Sequence, residues 1–425
     1  MQFENTLEFA RQMDEKDPLK SYRSQFYFPT FTEKPVIYFT GNSLGLQPKT
    51  TQQYLQQELD DWAKFGVEGH FMAKRPWFSY HEFLSAKSAK IVGAKEKEVV
   101  VMHSLSTNLH LLLVSFYRPA GKRVKILCEA KAFPSDQYIL QTHVQSHGLN
   151  PDDVIVEIEP REGEHLVREE DIYAKITELG DELALVMIGG INYYSGQLFD
   201  MKTITEKGHA VGAKVGFDLA HAAGNVELKL HDWNVDFAAW CTYKYLNSSP
   251  GGVSGIFVNE RHLTDKNLVR YGGWWGHEKT IRFQMDKHFQ PMESAEAWQL
   301  SNAPVLGMAA NLASLDIFDE VGMEKIFAKR DSITGYLEFI IDEVSKAYGE
   351  KCSFEIITPR DKKKRGSQLS MLVHGGNARQ LFDYLTAEGV IADWREPNVI
   401  RMAPIPLYNS YEDIYRFGQI LAKAF

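Results

Sequence analysis

Little in this sequence points to disulfides, a membrane or a polyanion. Its 425 residues include three cysteines, Cys128, Cys241 and Cys352, with no CxxC spacing. Cys128 and Cys241 lie inside apolar runs and read as small core residues, consistent with a reducing compartment. No apolar run approaches the ~20 residues that span a bilayer. The opening Met-Gln-Phe-Glu-Asn-Thr lacks the basic and apolar regions of a secretory signal. A soluble, cytoplasmic chain with no membrane partner is expected. The formal net charge is −9, with acidic and basic residues interspersed. The one basic run, Lys362-Lys363-Lys364-Arg365, sits among Pro359, Asp361 and Gly366 and reads as a solvated loop, so no nucleic-acid partner is expected. Internal repeats, low-complexity tracts and a dinucleotide GxGxxG are all missing. The Gly251-Gly252 and Gly272-Gly273 pairs are too short to stand as phosphate loops by themselves.

What is present is enough chain for one large domain and a smaller one. Between about residues 98 and 260, short apolar runs alternate with helical stretches. Val99–Met102, Val124–Cys128, Leu183–Ile188, Lys214–Phe217, Phe237–Cys241 and Gly255–Val258 are strand candidates. Continuous apolar runs between helices indicate strands buried on both faces, hence an α/β fold with a large, mostly parallel sheet. From Val305 onward helical periodicity dominates, followed by mixed segments such as Leu369–Val373 and Ala378–Glu388, which predicts a smaller C-terminal α+β domain. The expected division is an N-terminal segment 1–40, a large domain 41–304 and a small domain 305–425.

Asp218, in Val-Gly-Phe-Asp-Leu-Ala-His, and Lys244, in Trp-Cys-Thr-Tyr-Lys-Tyr-Leu-Asn, stand 26 residues apart, each just past a strand-like run. A lysine amine holds an aldehyde cofactor such as pyridoxal phosphate (PLP) as a Schiff base, and an acid partner keeps its ring nitrogen protonated. At about 4 Å and an effective dielectric of about 20, an aspartate–pyridinium pair is worth about 4 kcal/mol before desolvation. On the pair alone a buried salt bridge, or two unrelated charges, is the commoner explanation, since a chain of this size has many Asp–Lys pairs. Ser106 and Thr107, between a strand and an apolar helix, suit a phosphate and also an ordinary N-cap. Phe133, on a loop before Pro134, is either a core residue or a ring stacked on a flat ligand. His221 orients Asp218, contacts a cofactor, or is a structural histidine, which a lone His more often is. Tyr243 holds phosphate, relays a proton, or packs beside the strand end. Trp274-Trp275 in a glycine-rich loop favours a ligand or subunit contact. Arg401, inside an apolar segment, needs an anionic partner: an internal Asp or Glu, or a substrate carboxylate.

Seven segments occur in order. They are Tyr38–Pro48 (Tyr-Phe-Thr-Gly-Asn-Ser-Leu-Gly-Leu-Gln-Pro), Lys74-Arg75-Pro76-Trp77, Lys131–Asp136, Gly216–Ala222, Trp240–Asn247, Trp275–Glu278 and Ile400–Tyr408. Together they closely resemble the kynureninases, PLP enzymes of the aspartate-aminotransferase fold (fold type I), over nearly the whole chain.

That resemblance implies roles by position. Lys244 would carry the cofactor and shuttle protons, Asp218 would hold the pyridinium, and Phe133 would cover the ring. Leu105 (backbone), Ser106, Asp136, His221, Tyr243, Trp274 and Asn302 match cofactor contacts, the last two reaching across a homodimer interface. Tyr243 would also assist catalysis. Ser43, His70 and Arg401 match substrate positions, with Arg401 clamping the α-carboxylate by a bidentate fork. No metal is implied. The implied reaction is hydrolytic Cβ–Cγ cleavage of L-kynurenine or 3-hydroxy-L-kynurenine to the anthranilate and L-alanine, within tryptophan catabolism and NAD biosynthesis. Ser106 stands where animal enzymes carry Thr, and Gly189 where they carry a cofactor-contacting Ser. His70, Ser301 and Asn302 follow the animal pattern, which in the family accompanies preference for the 3-hydroxylated substrate. The competing reading is another fold type I lyase such as a cysteine desulfurase. That chemistry needs a mobile loop cysteine, which Cys128 and Cys241 on apolar strands do not supply.

Overall fold

The computed structural model describes residues 2–31, 34–348, 353–374 and 377–425, so Cys352 lies outside the described residues. Seven short runs form the main sheet: β1 (Val99–Met102), β2 (Lys125–Glu129), β3 (Ile155–Ile158), β4 (Leu183–Gly189), β5 (Lys214–Asp218), β6 (Phe237–Cys241) and β7 (Ser254–Val258). Their order is β1-β7-β6-β5-β4-β2-β3. β7 runs antiparallel to both of its neighbours, and every other pair is parallel. The expected mostly parallel sheet is therefore present, with one reversed strand.

The unbroken apolar runs have a direct cause. Successive residues of each strand enter two different cores, one on each face of the sheet. Val99, Val101, Leu127, Val186, Val215 and Phe257 join one cluster, while Val100, Met102, Ile126, Leu185, Met187 and Ile256 join the other. With both faces covered by helices and loops, no strand position needs to be polar until the chain leaves the sheet.

A third core belongs to the C-terminal unit. Strands β8 (Ser353–Ile356), β9 (Leu369–His374), β10 (Asp393–Arg395) and β11 (Val399–Met402) form an antiparallel sheet of order β8-β9-β11-β10. Helices Met323–Tyr348 and Tyr411–Ala422 pack together with it. Helix Val305–Val321, which the sequence reading grouped with this unit, packs against helices Thr51–Phe65 and Glu82–Val92 and shares the first core. The N-terminal segment packs on the C-terminal unit. Helix Leu7–Lys16 lies on Tyr411–Ala422, and the Asp14 carboxylate accepts from the Tyr411 and Glu412 N–H groups at 2.7 and 3.0 Å. The segment also joins the two units, because Ile37–Tyr38 pairs with Val390–Ile391 and the Tyr22 hydroxyl donates to Glu320 of helix Val305–Val321 at 2.8 Å.

The amino edge of the main sheet is fastened by one buried carboxylate. Asp236, just before β6, accepts from the Val215 N–H at 2.8 Å and Arg261 Nη2 at 2.6 Å, and lies 2.8 and 2.7 Å from His209 and His262 Nε2. Burial alone would raise its pKa, but the two histidines and the charges of Arg261 and Lys214 outweigh burial and hold it below 3.8. Because the folded value is depressed, its stabilisation is complete above 3.8 and is lost only as pH falls further toward the folded value. Asp236→Asn strands these donors and should cost about 3 kcal/mol in neutral denaturant unfolding, a gap that narrows below pH 4. A gap that stays constant down to pH 2 would contradict this.

Candidate active site

The carboxyl ends of five parallel strands and the start of the reversed β7 open onto one cavity of about 450 Å³, the edge where sheets of this kind collect ligand groups. Its walls include Leu105, Ser106, Phe133, Asp136, Asp218, His221, Tyr243 and Lys244. Residues far apart in the chain meet here because each sits at or just beyond a strand end. His103, Lys131 and Asn247, which follow three of these ends, hold left-handed backbone at φ 44°, 54° and 49°. Such strain costs about 1–3 kcal/mol per non-glycine residue and tends to gather at ligand sites. Gly45 lets the Tyr38–Pro48 segment press on the lysine turn, since a Cβ there would lie 2.5 Å from the Lys244 carbonyl oxygen.

The electrostatics centre on Lys244. Its Nζ lies 3.0 Å from His221 Nε2 and 5.9 Å from the Phe133 ring centroid. Burial, reinforced by the charges of Lys244, Arg401 and Arg395, pushes His221 well below the usual histidine range, so the ring is neutral at pH 7. Nε2 then accepts from the Lys244 amine, which assigns the ring proton to Nδ1. That buried Nδ1 has no hydrogen-bond partner among the described residues.

Asp218 closes β5 and accepts the Ala220 N–H at 2.7 Å. Burial raises its pKa, while the Ala220 N–H, Lys244 and Asp136 pull it back. Asp136 is raised much further, by burial and by the charge of Asp218. Of the two carboxyls, Asp136 is therefore the one more strongly pushed toward its protonated form. Burial also raises the Tyr243 phenol, which stays protonated as a donor.

These residues fit a phosphate-bearing aromatic aldehyde. Helix Leu105–Phe116 begins at the cavity. Its N-cap Ser104 makes no capping bond, and its hydroxyl instead pairs with Thr107 Oγ1 at 3.0 Å. The first N–H groups of that helix, with the Ser106 hydroxyl, are suited to an anion. Phe133 is 43 % exposed, an unusual state for a phenylalanine against a core unless a flat partner covers it. Lys244 supplies the amine, Asp218 the anion for a ring nitrogen, and His221 a spare donor.

Five other expected site residues do not line this cavity. Arg401 is buried, with Nη1 donating to the Tyr193 carbonyl and Nη2 paired with Asp393. Its internal acidic partner is therefore Asp393, and Tyr193 stands between it and the cavity wall. His70 holds the Val67 carbonyl through Nδ1 at 2.9 Å and meets Trp77 edge-on. Trp274 and Asn302 are exposed on neighbouring loops, and Ser43 is exposed on a turn after Tyr38. Three groups escaped the sequence reading: Glu129, Tyr193 and Asp393. Glu129 ends β2, lines the cavity, and is pushed up to about 7 by burial against the opposing bonds from Asn192 and Gly189. An acid closing an otherwise apolar strand beside Lys131–Asp136 was the available signal.

Comparison with known proteins gives consistent results. Residues 326–421 match the family described as the kynureninase C-terminal domain. The chain is 61% identical over 423 residues to a kynureninase of Flavobacterium johnsoniae, covering 100% of this chain and 99% of that protein. It is 46% identical over 437 residues to a kynureninase of Nematostella vectensis, covering 98% and 94%. Among solved structures, an apo cysteine desulfurase from Thermococcus onnurineus superposes with a TM-score of 0.74 at 18% identity, covering 92% of this chain and 94% of that one. A cysteine desulfurase from Escherichia coli gives 0.74 at 15% identity, covering 96% and 98%. At that identity the desulfurases share the fold and nothing finer. Cys128 and Cys241 are buried thiols, and burial pushes Cys128 up to about 12, far from a sulfur-carrying thiolate.

Proposed function

The chain belongs to the kynureninase family, and from that premise we propose that it is a PLP-dependent hydrolase cleaving the Cβ–Cγ bond of L-kynurenine or 3-hydroxy-L-kynurenine to an anthranilate and L-alanine. The observation that carries the reading is the meeting of Lys244, Asp218 and half-exposed Phe133 at one cavity. When bound, PLP supplies an aldehyde for amine capture and a cationic ring that draws electrons from the substrate carbons.

The chain's own residues do the rest. Asp218, at the end of β5, would hold the ring-nitrogen proton, with Asp136 as the neighbouring carboxyl more strongly pushed toward its protonated form. Phe133 covers the ring, and the start of helix Leu105–Phe116 with Ser106 holds the phosphate. Lys244 would hold the cofactor through its amine and, when that amine is free, would move the substrate Cα proton. His221 keeps the lysine amine oriented through Nε2. Tyr243, a protonated phenol beside the lysine, donates toward the phosphate or the reacting carbonyl. Arg401 clamps the substrate α-carboxylate, while Ser43 and His70 face the aryl side.

The working unit in this reading is a cytoplasmic homodimer. Val67 (74 % exposed), Phe71 (61 %), Trp274 (48 %), Phe283 (59 %) and Met285 (77 %) are large apolar side chains left exposed, and grouped exposed apolar residues are the kind of surface that subunit contacts cover. Ring contacts link them, with Phe71 stacked on Phe78, Phe78 on Phe283, and Phe283 edge-on to Trp274. A second copy covering this patch brings Trp274 and Asn302 to the partner's cavity and His70 near the aryl group. No helix among the described residues is long and apolar enough to cross a membrane.

The test is purified protein with PLP, assayed for L-alanine from both substrates alongside sedimentation. Alanine from at least one substrate and a dimer are expected, with Phe71→Glu/Phe283→Glu giving monomers of much reduced turnover. No alanine from either substrate would sink the function. Active monomers would sink the shared site.

A further inference from the structure

Arg401 does not line the cavity, so something must set how its guanidinium meets a ligand there. Its Nη1 donates to the Tyr193 carbonyl, and the Tyr193 ring meets the Phe133 ring edge-on at 5.5 Å and 81°. One residue therefore braces both the wall of the cofactor cavity and the arginine behind it. Tyr193 is itself placed by its neighbour. Asn192 Oδ1 accepts the next two N–H groups of the chain, Tyr194 at 3.0 Å and Ser195 at 2.9 Å, and also the Ser195 hydroxyl at 3.1 Å. This is a side-chain turn that works only with the amide oxygen facing the backbone.

The opposite end of that amide is fixed by Glu129. Its Oε1 accepts from Asn192 Nδ2 at 2.8 Å, and its Oε2 accepts the Gly189 N–H at 2.8 Å. Two donors converge on one buried carboxylate, so the Asn192 amide has a single satisfied orientation. Position 189 is bound to the same feature, because a Cβ there would lie 2.9 Å from Glu129 Oε2.

We propose that Glu129 is a positioning residue for substrate binding, acting through Asn192 and Tyr193 on Arg401. The inference rests on the reading that Arg401 takes the substrate α-carboxylate. Glu129 orients the Asn192 amide, the amide shapes the 192–195 turn, and the turn sets the Tyr193 carbonyl that aims Arg401. Loss of the bracket leaves the cofactor seat at Lys244, Asp218 and Ser106 in place and disorders the carboxylate clamp.

Glu129→Gln presents one acceptor where two N–H groups arrive. Asn192→Asp alone sets a second carboxylate against Glu129. Combined, the new amide donates to the new carboxylate, its oxygen accepts the Gly189 N–H, and the remaining carboxylate oxygen serves the turn. For the PLP-loaded enzyme, Glu129→Gln should raise the substrate KM about 10-fold with kcat changed less than about 3-fold. Calorimetric affinity for L-alanine should fall by a similar factor, while PLP affinity of the cofactor-free protein, which loses only the Tyr193 support at the edge of Phe133, should fall by a clearly smaller factor. The combined variant should return KM to within about 3-fold of the parent. In an Arg401→Lys background Glu129→Gln should add little, because both changes act on one contact. An unchanged KM in Glu129→Gln, or a matching loss of PLP affinity, would overturn the proposal. If Arg401→Ala raises KM and Glu129→Gln does not, this inference alone fails. If Arg401→Ala leaves KM unchanged, the reading of Arg401 fails and this inference with it.

Discussion

Lys244→Ala should abolish the absorbance near ~420 nm that marks PLP joined to a lysine amine, and lower turnover on the order of 10⁴-fold or more. The size follows from Lys244 serving twice. In the proposed reading it is the attachment point for the cofactor, and among the described residues it is the amine held at hydrogen-bond distance from neutral His221 in the cavity. The fold should survive, because among the described residues the lysine forms no ion pair and its Nζ contact is to His221. Thermal unfolding of the cofactor-free variant is therefore expected within a few degrees of the parent. PLP should still bind, more weakly, through the helix start and Asp218. Deletion of the Lys244 charge also removes one of the causes that depress His221, so the histidine should titrate closer to its ordinary range by NMR. Persistence of the ~420 nm band in Lys244→Ala would mean that another amine carries the cofactor, and would overturn the assignment.

How much of this was readable beforehand depends on where each partner sits in the chain. Asp218, Lys244, Phe133 and Ser106 were legible because each belongs to a local pattern: an apolar run, a strand end, then a chemically capable side chain. A parallel sheet brings such ends to one edge whatever the intervening helices do. Tyr193 had no such signal. Its importance lies in a contact to Arg401 across 208 positions, and in a turn built by its neighbour. Asp393 was legible only as a demand, since Arg401 in an apolar segment called for an anion without saying which. Helix Val305–Val321 shows the converse limit. It is apolar around most of its circumference, so periodicity identifies the helix but not which of two cores it enters. The partner-facing roles of Trp274, Asn302 and His70 lie beyond what one chain displays, although the exposed ring cluster marks the surface on which they would act.

Arg401→Ala should raise the KM for the amino-acid substrate by about 10²–10⁴-fold while changing PLP affinity less than about 3-fold. Two charge-assisted hydrogen bonds from one guanidinium to a carboxylate, each worth about 1.5–3 kcal/mol, set that range. The resting partners shape the outcome. Arg401 Nη2 is paired with Asp393, and removal of the arginine leaves that carboxylate with Arg395 at 3.2 Å, so the buried charge is not abandoned and the fold penalty is limited. The Tyr193 carbonyl is the weaker, neutral partner, and an arriving carboxylate outcompetes it for Nη1. Arg401 Nε, buried without a partner among the described residues, is a further donor for the same fork. Arg401→Lys separates charge from geometry. It keeps the cation but loses the planar fork, and should recover only part of the affinity. Because the clamp binds ground and transition states alike, kcat should fall less than kcat/KM. Equal losses of substrate and PLP affinity in Arg401→Ala would instead make the residue a structural partner of Asp393, whose removal loosens the C-terminal sheet and with it the whole cavity.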